Sequence, residues 1–397
     1  LVVLTGARQT GKTTLAKAKY PELRYINLDA PENRDTLREV PTPSWGATVG
    51  NAVIDEAQKL PEVFEKIKYA FDEQGISFTV LLGSSQILLL KKIRESLAGR
   101  VSLYELWPLL MSELQTEEDL AYAAPPLLDR ILTEPSLDHV LGSVPPVLLD
   151  REDSRAREAE NHLLKWGGMP ALLPLPPEER WKWLRDYQYT YLERDLGDLA
   201  RLDDLTAFSK FQRLAALRSG TLLNYSELAR DAGFSVDTAR RYLEYLRISY
   251  QVVLLQPYAR NLTSSVVKTP KIYWTDIGLM RQLGGRREET GGEVYETMVV
   301  AEIHKWIRTA QRSAETYFYR TRAGLELDLL LVLEGGVIGC EIKGRKSIVP
   351  SDLRPMREIA EALKGEWRGG FVVYQGDAIV KMGEPSLWAI PARRLFT

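Results

Sequence analysis

The stretch LVVLTGARQTGKTT, residues 1–14, constrains this chain more than any other. Gly6, four further residues, then Gly11-Lys12-Thr13 follow an apolar run and precede a helical pattern. Glycines at these places let the backbone of Gly6, Ala7, Arg8, Gln9, Thr10 and Gly11 curl its N–H groups around an anion. The helix that follows, entered through Thr13 and Thr14, presents its N-terminus to the same anion. Strand, loop and helix in this order predict a phosphate cradle, with Lys12 neutralising the β- and γ-phosphates and Thr13 holding Mg²⁺.

The rest of residues 1–110 agrees with such a loop. Apolar runs at Leu1–Leu4, Tyr25–Leu28, Ala52–Ile54, Phe78–Leu82 and Val101–Leu103 alternate with amphipathic stretches, which argues for a parallel sheet with crossover helices. The run NAVIDEAQK ends in Asp55 and Glu56. Asp55 is expected to orient the Mg²⁺ shell and Glu56 to polarise the attacking water of ATP hydrolysis. FTVLLGSSQ ends in Ser84 and Ser85, placed to sense a γ-phosphate, and ESLAGR offers Arg100 for transition-state charge, on its own chain or a neighbour.

At 397 residues the chain is too long for one ordinary core, so several domains are expected. No apolar run approaches the length of a bilayer span. The single Cys340 excludes an internal disulfide framework and suits a reducing cytoplasm. His139, His162 and His304 lie too far apart for zinc spacing. A net charge of −2 means that any nucleic-acid contact must come from local patches. Residues 113–160 are acidic, whereas 240–271 and 343–346 are basic.

NYSELARDAGFSVDTARRYLEYL, residues 224–246, reads as two helices around a turn at Gly233, capped by Ser226 and Ser235. Val236, Ala239, Leu243 and Leu246 form the buried stripe of the second helix. Thr238, Arg240 and Arg241 point outward, toward a major groove in the DNA-binding reading. Two strands around a polar loop follow, with Arg260 and Lys268 near its tip, in a winged-helix layout. The alternative use of such a module is protein docking.

LELDLLLVLEGGVIGCEIKG, residues 325–344, carries Glu326, Asp328, Glu341 and Lys343 among leucines. A two-residue turn at Gly335-Gly336 would set Asp328 opposite Lys343, with the charged residues on one face. Converging carboxylates are costly unless a cation relieves them, and a divalent ion does so. Glu296 and Glu302, on the preceding amphipathic stretch, are candidates to join that ion.

The motifs TGARQTGKTT, NAVIDEAQK, LLGSSQ and SLAGR stand in an order that resembles AAA-type P-loop ATPases. GGMPALL, YLERDL, KIYWTDIGL, YRTRAGLELD and CEIKGR extend the resemblance to bacterial and archaeal two-part ATPases with a C-terminal domain of unknown function. That resemblance implies a homo-oligomer, a hexameric ring among the expected forms, with an arginine finger reaching the neighbour. The Asp328, Glu341-x-Lys343 pattern resembles the restriction-endonuclease-like PD-(D/E)xK nucleases, archaeal Holliday-junction resolvases included. The likeness makes Glu296, Asp328 and Glu341 metal ligands with Lys343 beside them. No proline precedes Asp328, a departure from that pattern.

The expected architecture is therefore α/β. An AAA-type P-loop NTPase sheet spans 1–110, a helical lid or linker 111–200, a winged helix-turn-helix 201–290 and a restriction-endonuclease-like domain 291–397. The expected function is a cytoplasmic, Mg²⁺-dependent ATPase that binds and remodels duplex or branched DNA, without a membrane partner. The alternatives are a nucleotide-gated protein-interaction switch in defence or stress signalling, and an ATP-regulated metal-dependent nuclease.

Overall fold

The computed structural model describes residues 1–83, 97–116, 124–147, 151–199, 205–258, 268–287 and 291–397; for 191–199 and 205 it gives the backbone path. The chain divides into two compact units, one of residues 1–107, 189–203 and 244–251, the other of 108–188, 204–243 and 252–397.

In the first unit β1 (Val2–Gly6), β2 (Arg24–Asn27), β3 (Ala52–Asp55), β4 (Val80–Gly83) and β5 (Ser102–Leu106) form a parallel sheet in the order β2-β3-β4-β1-β5. Successive residues serve opposite faces. Val3, Ile54 and Leu81 pack with Trp45, Phe64 and Ile67, while Leu4, Val53 and Leu82 pack with Ala16. The central strands β1, β3 and β4 are buried on both sides and so need continuous apolar runs, which is why they are legible in the sequence. Because all strands point the same way, the loop after β1 and the acid ending β3 emerge at one carboxyl edge. Helix α1 (Lys12–Lys19) starts at that loop.

The second unit holds, among the described residues, a nine-stranded sheet. Its strands are β6 (Thr221–Leu222), β7 (Val252–Pro257), β8 (Lys271–Trp274), β9 (Ala314–Arg320), β10 (Glu326–Leu333), β11 (Gly336–Lys343), β12 (Trp367–Tyr374), β13 (Val380–Gly383) and β14 (Leu387–Pro391). The order is β13-β14-β12-β11-β10-β9-β7-β8-β6. β7 pairs with β9 in parallel through Gln256 and Tyr317, and Tyr258 donates its N–H to the Phe318 carbonyl at 2.7 Å. Residues 201–290 and 291–397, read from sequence as separate domains, thus share one sheet. Helices at 127–133, 137–142, 151–166 and 177–199 account for the helical expectation over 111–200.

Helix α2 (Tyr225–Ala232) and helix α3 (Val236–Ile248) flank a left-handed turn at Gly233. Asn224, rather than Ser226, caps α2 by accepting the N–H of Glu227 at 3.1 Å. The helix starts two residues earlier than the sequence suggested, and the asparagine is the residue with extended backbone. Ser235 caps α3 through Thr238 N–H. Ala239, Leu243 and Leu246 are buried as the stripe predicted, with Tyr242 beside them. No described helix is long and apolar enough to cross a membrane.

The hairpin register differs from the expectation by two residues. Leu333 pairs with Gly336 and Val332 with Val337, so Glu334-Gly335 is the turn. Continued outward, this register sets Asp328 opposite Glu341 and Glu326 opposite Lys343. Gly336 belongs to β11, where its φ of 130° favours glycine and a Cβ would come within 2.5 Å of the Glu366 carbonyl.

Candidate functional sites

At the carboxyl edge of the first sheet, Gly6 (φ 147°), Gln9 (φ 62°) and Gly11 (φ 94°) bend the loop between β1 and α1. A Cβ on Gly6 would lie 2.0 Å from the Leu106 carbonyl, so β5 itself demands glycine there. Thr10 Oγ1 donates to the Ala7 carbonyl at 2.9 Å. Lys12, 8% exposed, turns its ammonium back over the loop, 2.9 Å from the Gly6 carbonyl and 2.5 Å from that of Ala7. Arg8 and Thr14 flank these groups in the loop and first helical turn.

Thr13 Oγ1 donates to Asp55 Oδ2 at 2.6 Å. A hydroxyl from the first turn of α1 and a carboxylate from the end of β3 make a hard oxygen donor pair, which fits Mg²⁺ beside a triphosphate. When bound, that ion would supply charge stabilisation at the phosphates. Asp55 Oδ1 is held by the Glu56 N–H at 2.9 Å, so both carboxylate oxygens have fixed directions. Glu56 itself has φ 54°, a conformation unusual for a side-chain-bearing residue and one that concentrates at functional sites. Gln58 Nε2 donates to Glu56 Oε2 at 2.5 Å, aiming the carboxylate expected to polarise water.

Two residues here escaped the sequence reading. Tyr25 Oη donates to the same Asp55 oxygen at 2.7 Å, and the Lys17 ammonium lies 3.8 Å from the Tyr25 ring centre. Burial and then the Asp55 carboxylate push the Tyr25 phenol well above its usual range, so it stays a donor. The other is Gln58. The only signal for Tyr25 was its place in β2, the strand beside the one that ends in Asp55.

Arg100 does not join this site within its own chain. It precedes β5, whose register with β1 runs from Val2–Ser102 to Gly6–Leu106, so it lies at the sheet's amino edge. There it makes a two-pronged pair with Asp72, at 2.7 and 2.9 Å. Ser84 and Ser85 lie outside the described residues.

In the second unit Glu326 and Asp328 of the hairpin lie, with Glu296, around a cation the sequence did not reveal. Lys271 on β8, 3% exposed, sets its ammonium 2.6 Å from Glu326 Oε1, 3.3 Å from Glu296 Oε1 and 3.8 Å from Asp328 Oδ1. Tyr273, also on β8, donates to Glu296 Oε1 at 2.6 Å. Arg320 pairs with Glu326 at 3.1 Å and Lys343 with Glu341 at 2.5 Å. Asp328 Oδ2 accepts the Ile342 N–H at 2.9 Å. Glu341 Oε2 is buried without a hydrogen-bond partner. Burial and the charges of neighbouring carboxylates raise the pKa of both Asp328 and Glu341.

Among the described residues, no group of three or more His, Cys, Asp or Glu side chains is arranged to hold a metal ion. The expected metal set of Glu296, Asp328 and Glu341 is thus not assembled around a common metal position: Lys271 stands between Glu296 and Asp328, and Glu341 pairs with Lys343. Glu302 points elsewhere. It accepts the Met111 N–H at 2.8 Å and pairs with Lys305, both buried.

On α3, Arg240 and Arg241 are exposed. Arg240 lies 3.5 Å from Asp237 and stacks over Tyr225 at 5.4 Å, and Arg247 pairs with Glu244. Lys268 is exposed before β8, whereas Arg260 lies outside the described residues. The side chains of Arg194 and Asp195, in the YLERDL motif, also lie outside them.

The parallel sheet and the phosphate loop together support a P-loop ATPase part followed by further domains. Residues 1–115 match the family model described as AAA domain, which supports ATPase activity. Residues 157–290 match Domain of unknown function (DUF8612), and 291–395 match Domain of unknown function (DUF4143). Uncharacterised proteins of Mycobacterium tuberculosis and Mycobacterium bovis are each 29% identical to this chain over 408 residues, covering 100% of it and 81% of their own length. A Walker-type ATPase of Pyrococcus abyssi is a structural neighbour at 15% identity and a TM-score of 0.40, covering 71% of this chain and 90% of its own.

Proposed function

We propose that the protein hydrolyses ATP with Mg²⁺ and couples that reaction to binding and remodelling of DNA, duplex or branched, as a homo-oligomer. The observation that carries the ATPase part is the Thr13–Asp55 hydrogen bond at the mouth of the phosphate loop. In this reading Lys12 and the loop N–H groups bind the phosphates, Thr13 and Asp55 hold the ion, and Glu56 orients water on the γ-phosphorus. The DNA part is supported by a helix-turn-helix whose second helix exposes Arg240 and Arg241.

The decisive experiment is steady-state ATP hydrolysis without DNA and with single strands, duplex or a four-way junction, using Glu56→Gln as the blank. Stimulation by one form identifies the substrate class. Equal rates across the panel remove DNA coupling and leave a nucleotide-gated switch for protein partners, which the Asp237–Arg240 and Glu244–Arg247 pairing on α3 would then suit.

A second reading, metal-dependent DNA cleavage by the C-terminal part, is favoured by the convergence of Asp328, Glu341 and Lys343 on one face of the hairpin. It predicts Mg²⁺- or Mn²⁺-dependent nicking that Asp328→Ala abolishes while ATP hydrolysis persists.

A further inference from the structure

Lys271 is the least expected charge in the molecule. A lysine at 3% exposure has lost nearly all of its hydration, and only ion pairing makes that burial tolerable. Three carboxylates supply the pairing, and they come from two separate elements: Glu296 from the helix Gly292–Thr309, and Glu326 and Asp328 from β10. The Tyr273 hydroxyl fixes Glu296 from the same strand that delivers the lysine. The ring of Phe318 lies 5.7 Å from the ammonium. Such a site is built from every side, not a side chain that wandered into a cleft.

We infer that Lys271 is the resident cation of the hairpin site: its ammonium occupies the ground between Glu296, Glu326 and Asp328 that a divalent cation would need. Two cations cannot share that ground at these distances, since like charges a few ångströms apart repel strongly in a buried setting. The acidic face is completed by the protein itself, and divalent-metal affinity is set by whether the lysine stays. Glu341 Oε2, buried without a hydrogen-bond partner, is a further carboxylate oxygen open to an incoming ion once the ammonium is gone.

The inference rests on the nuclease-like reading only for where a metal would sit, and its test does not depend on cleavage. Mn²⁺ binding to the nucleotide-free full chain is titrated by calorimetry and by electron paramagnetic resonance of free Mn²⁺. The wild type is expected to give no saturable site in the micromolar range. Lys271→Met is expected to gain one site per chain, at least about tenfold tighter than any wild-type binding, and Asp328→Asn in that background to remove it. Lys271→Arg, which keeps the cation, is expected to behave as the wild type and serves if Lys271→Met does not fold. A micromolar Mn²⁺ site in the wild type that needs Asp328 overturns the inference. So does a folded Lys271→Met chain that binds Mn²⁺ no better than the wild type. Failure of the second reading is read separately, as absence of DNA nicking in every variant whatever its metal affinity.

Discussion

The carboxylate of Asp276 accepts the N–H of Gly168 at 2.7 Å across 108 residues of sequence, and with its other oxygen it caps the helix Ile277–Gly284 through Leu279. Around this contact the GGMPALL and KIYWTDIGL motifs interlock. A Cβ on Gly278 would meet the Trp166 carbonyl at 2.0 Å, and one on Gly168 the Leu109 carbonyl at 2.3 Å. These are backbone atoms on both sides, which cannot rotate away. Gly278→Ala is therefore expected to destabilise the second unit by about 3 kcal/mol, seen as a lower melting temperature. Gly292→Ala, where a Cβ meets nothing within 4 Å, is the control and should leave melting unchanged or raise it slightly.

Tyr25 and Thr13 donate to one oxygen of Asp55, so the phenol sets the direction in which that carboxylate faces an ion. Tyr25→Phe keeps the ring over which Lys17 sits and removes the donor. The Mg²⁺ concentration for half-maximal ATP hydrolysis should rise about tenfold with a smaller change in maximal rate. An unchanged Mg²⁺ dependence would mean that Thr13 and the Glu56 N–H suffice. Lys12→Ala should lower the rate by about 100-fold or more at any Mg²⁺ concentration.

Arg100 lies at the far edge of the sheet from its own phosphate loop, so any catalytic role must be played on a neighbouring copy. Arg100→Ala and Lys12→Ala chains should each be nearly inactive alone. Mixed, they should recover activity, because a Lys12→Ala subunit still offers Arg100 to an Arg100→Ala neighbour whose loop is intact. No recovery on mixing, with assembly confirmed by light scattering, would leave Arg100 as the surface partner of Asp72.

Stability should depend on pH through Glu160. Burial drives its pKa up to about 7 from 4.5, against the pull of Arg393 and Arg157 and with the push of Asp153. The folded state therefore holds a proton that the unfolded chain releases near 4.5. The stability tied to that proton is full below about 4.5 and is lost as pH rises through 7. Glu160→Gln should melt close to the wild type at pH 4.5 and be more stable at pH 8, by an amount on the order of 3 kcal/mol. His162 and His304 act in the opposite sense. Both are held neutral by burial, with values near 4 against 6.5, so their contribution is lost as pH falls through that window.

How far the sequence could carry the reading depends on the range over which each feature is specified. The phosphate loop and the strands of the first sheet are local patterns, and a doubly buried strand advertises itself as an apolar run. The hairpin was legible as a hairpin, but its register was not. Gly335-Gly336 looks like a turn pair, whereas Gly336 is paired with Leu333 inside β11 and is glycine because a Cβ there would meet the Glu366 carbonyl, 30 residues further on. Lys271 was invisible for a similar reason. In KIYW it is one lysine at the start of an apolar strand, and its partners Glu296, Glu326 and Asp328 become neighbours only when β7 joins β9 and the sheet closes over the helix. Glu302 was indistinguishable from Glu296 until the structure gave it Met111 and Lys305 as partners.

The sole cysteine of the sequence lies fully buried on β11, between β10 and β12 in the nine-stranded sheet. A thiol there can react with a probe only when the strands around it part. Its modification rate is thus a built-in clock for the opening of the sheet, readable by mass without adding a label site. Run with and without nucleotide, that clock would time whether events at the phosphate loop reach the heart of the other unit.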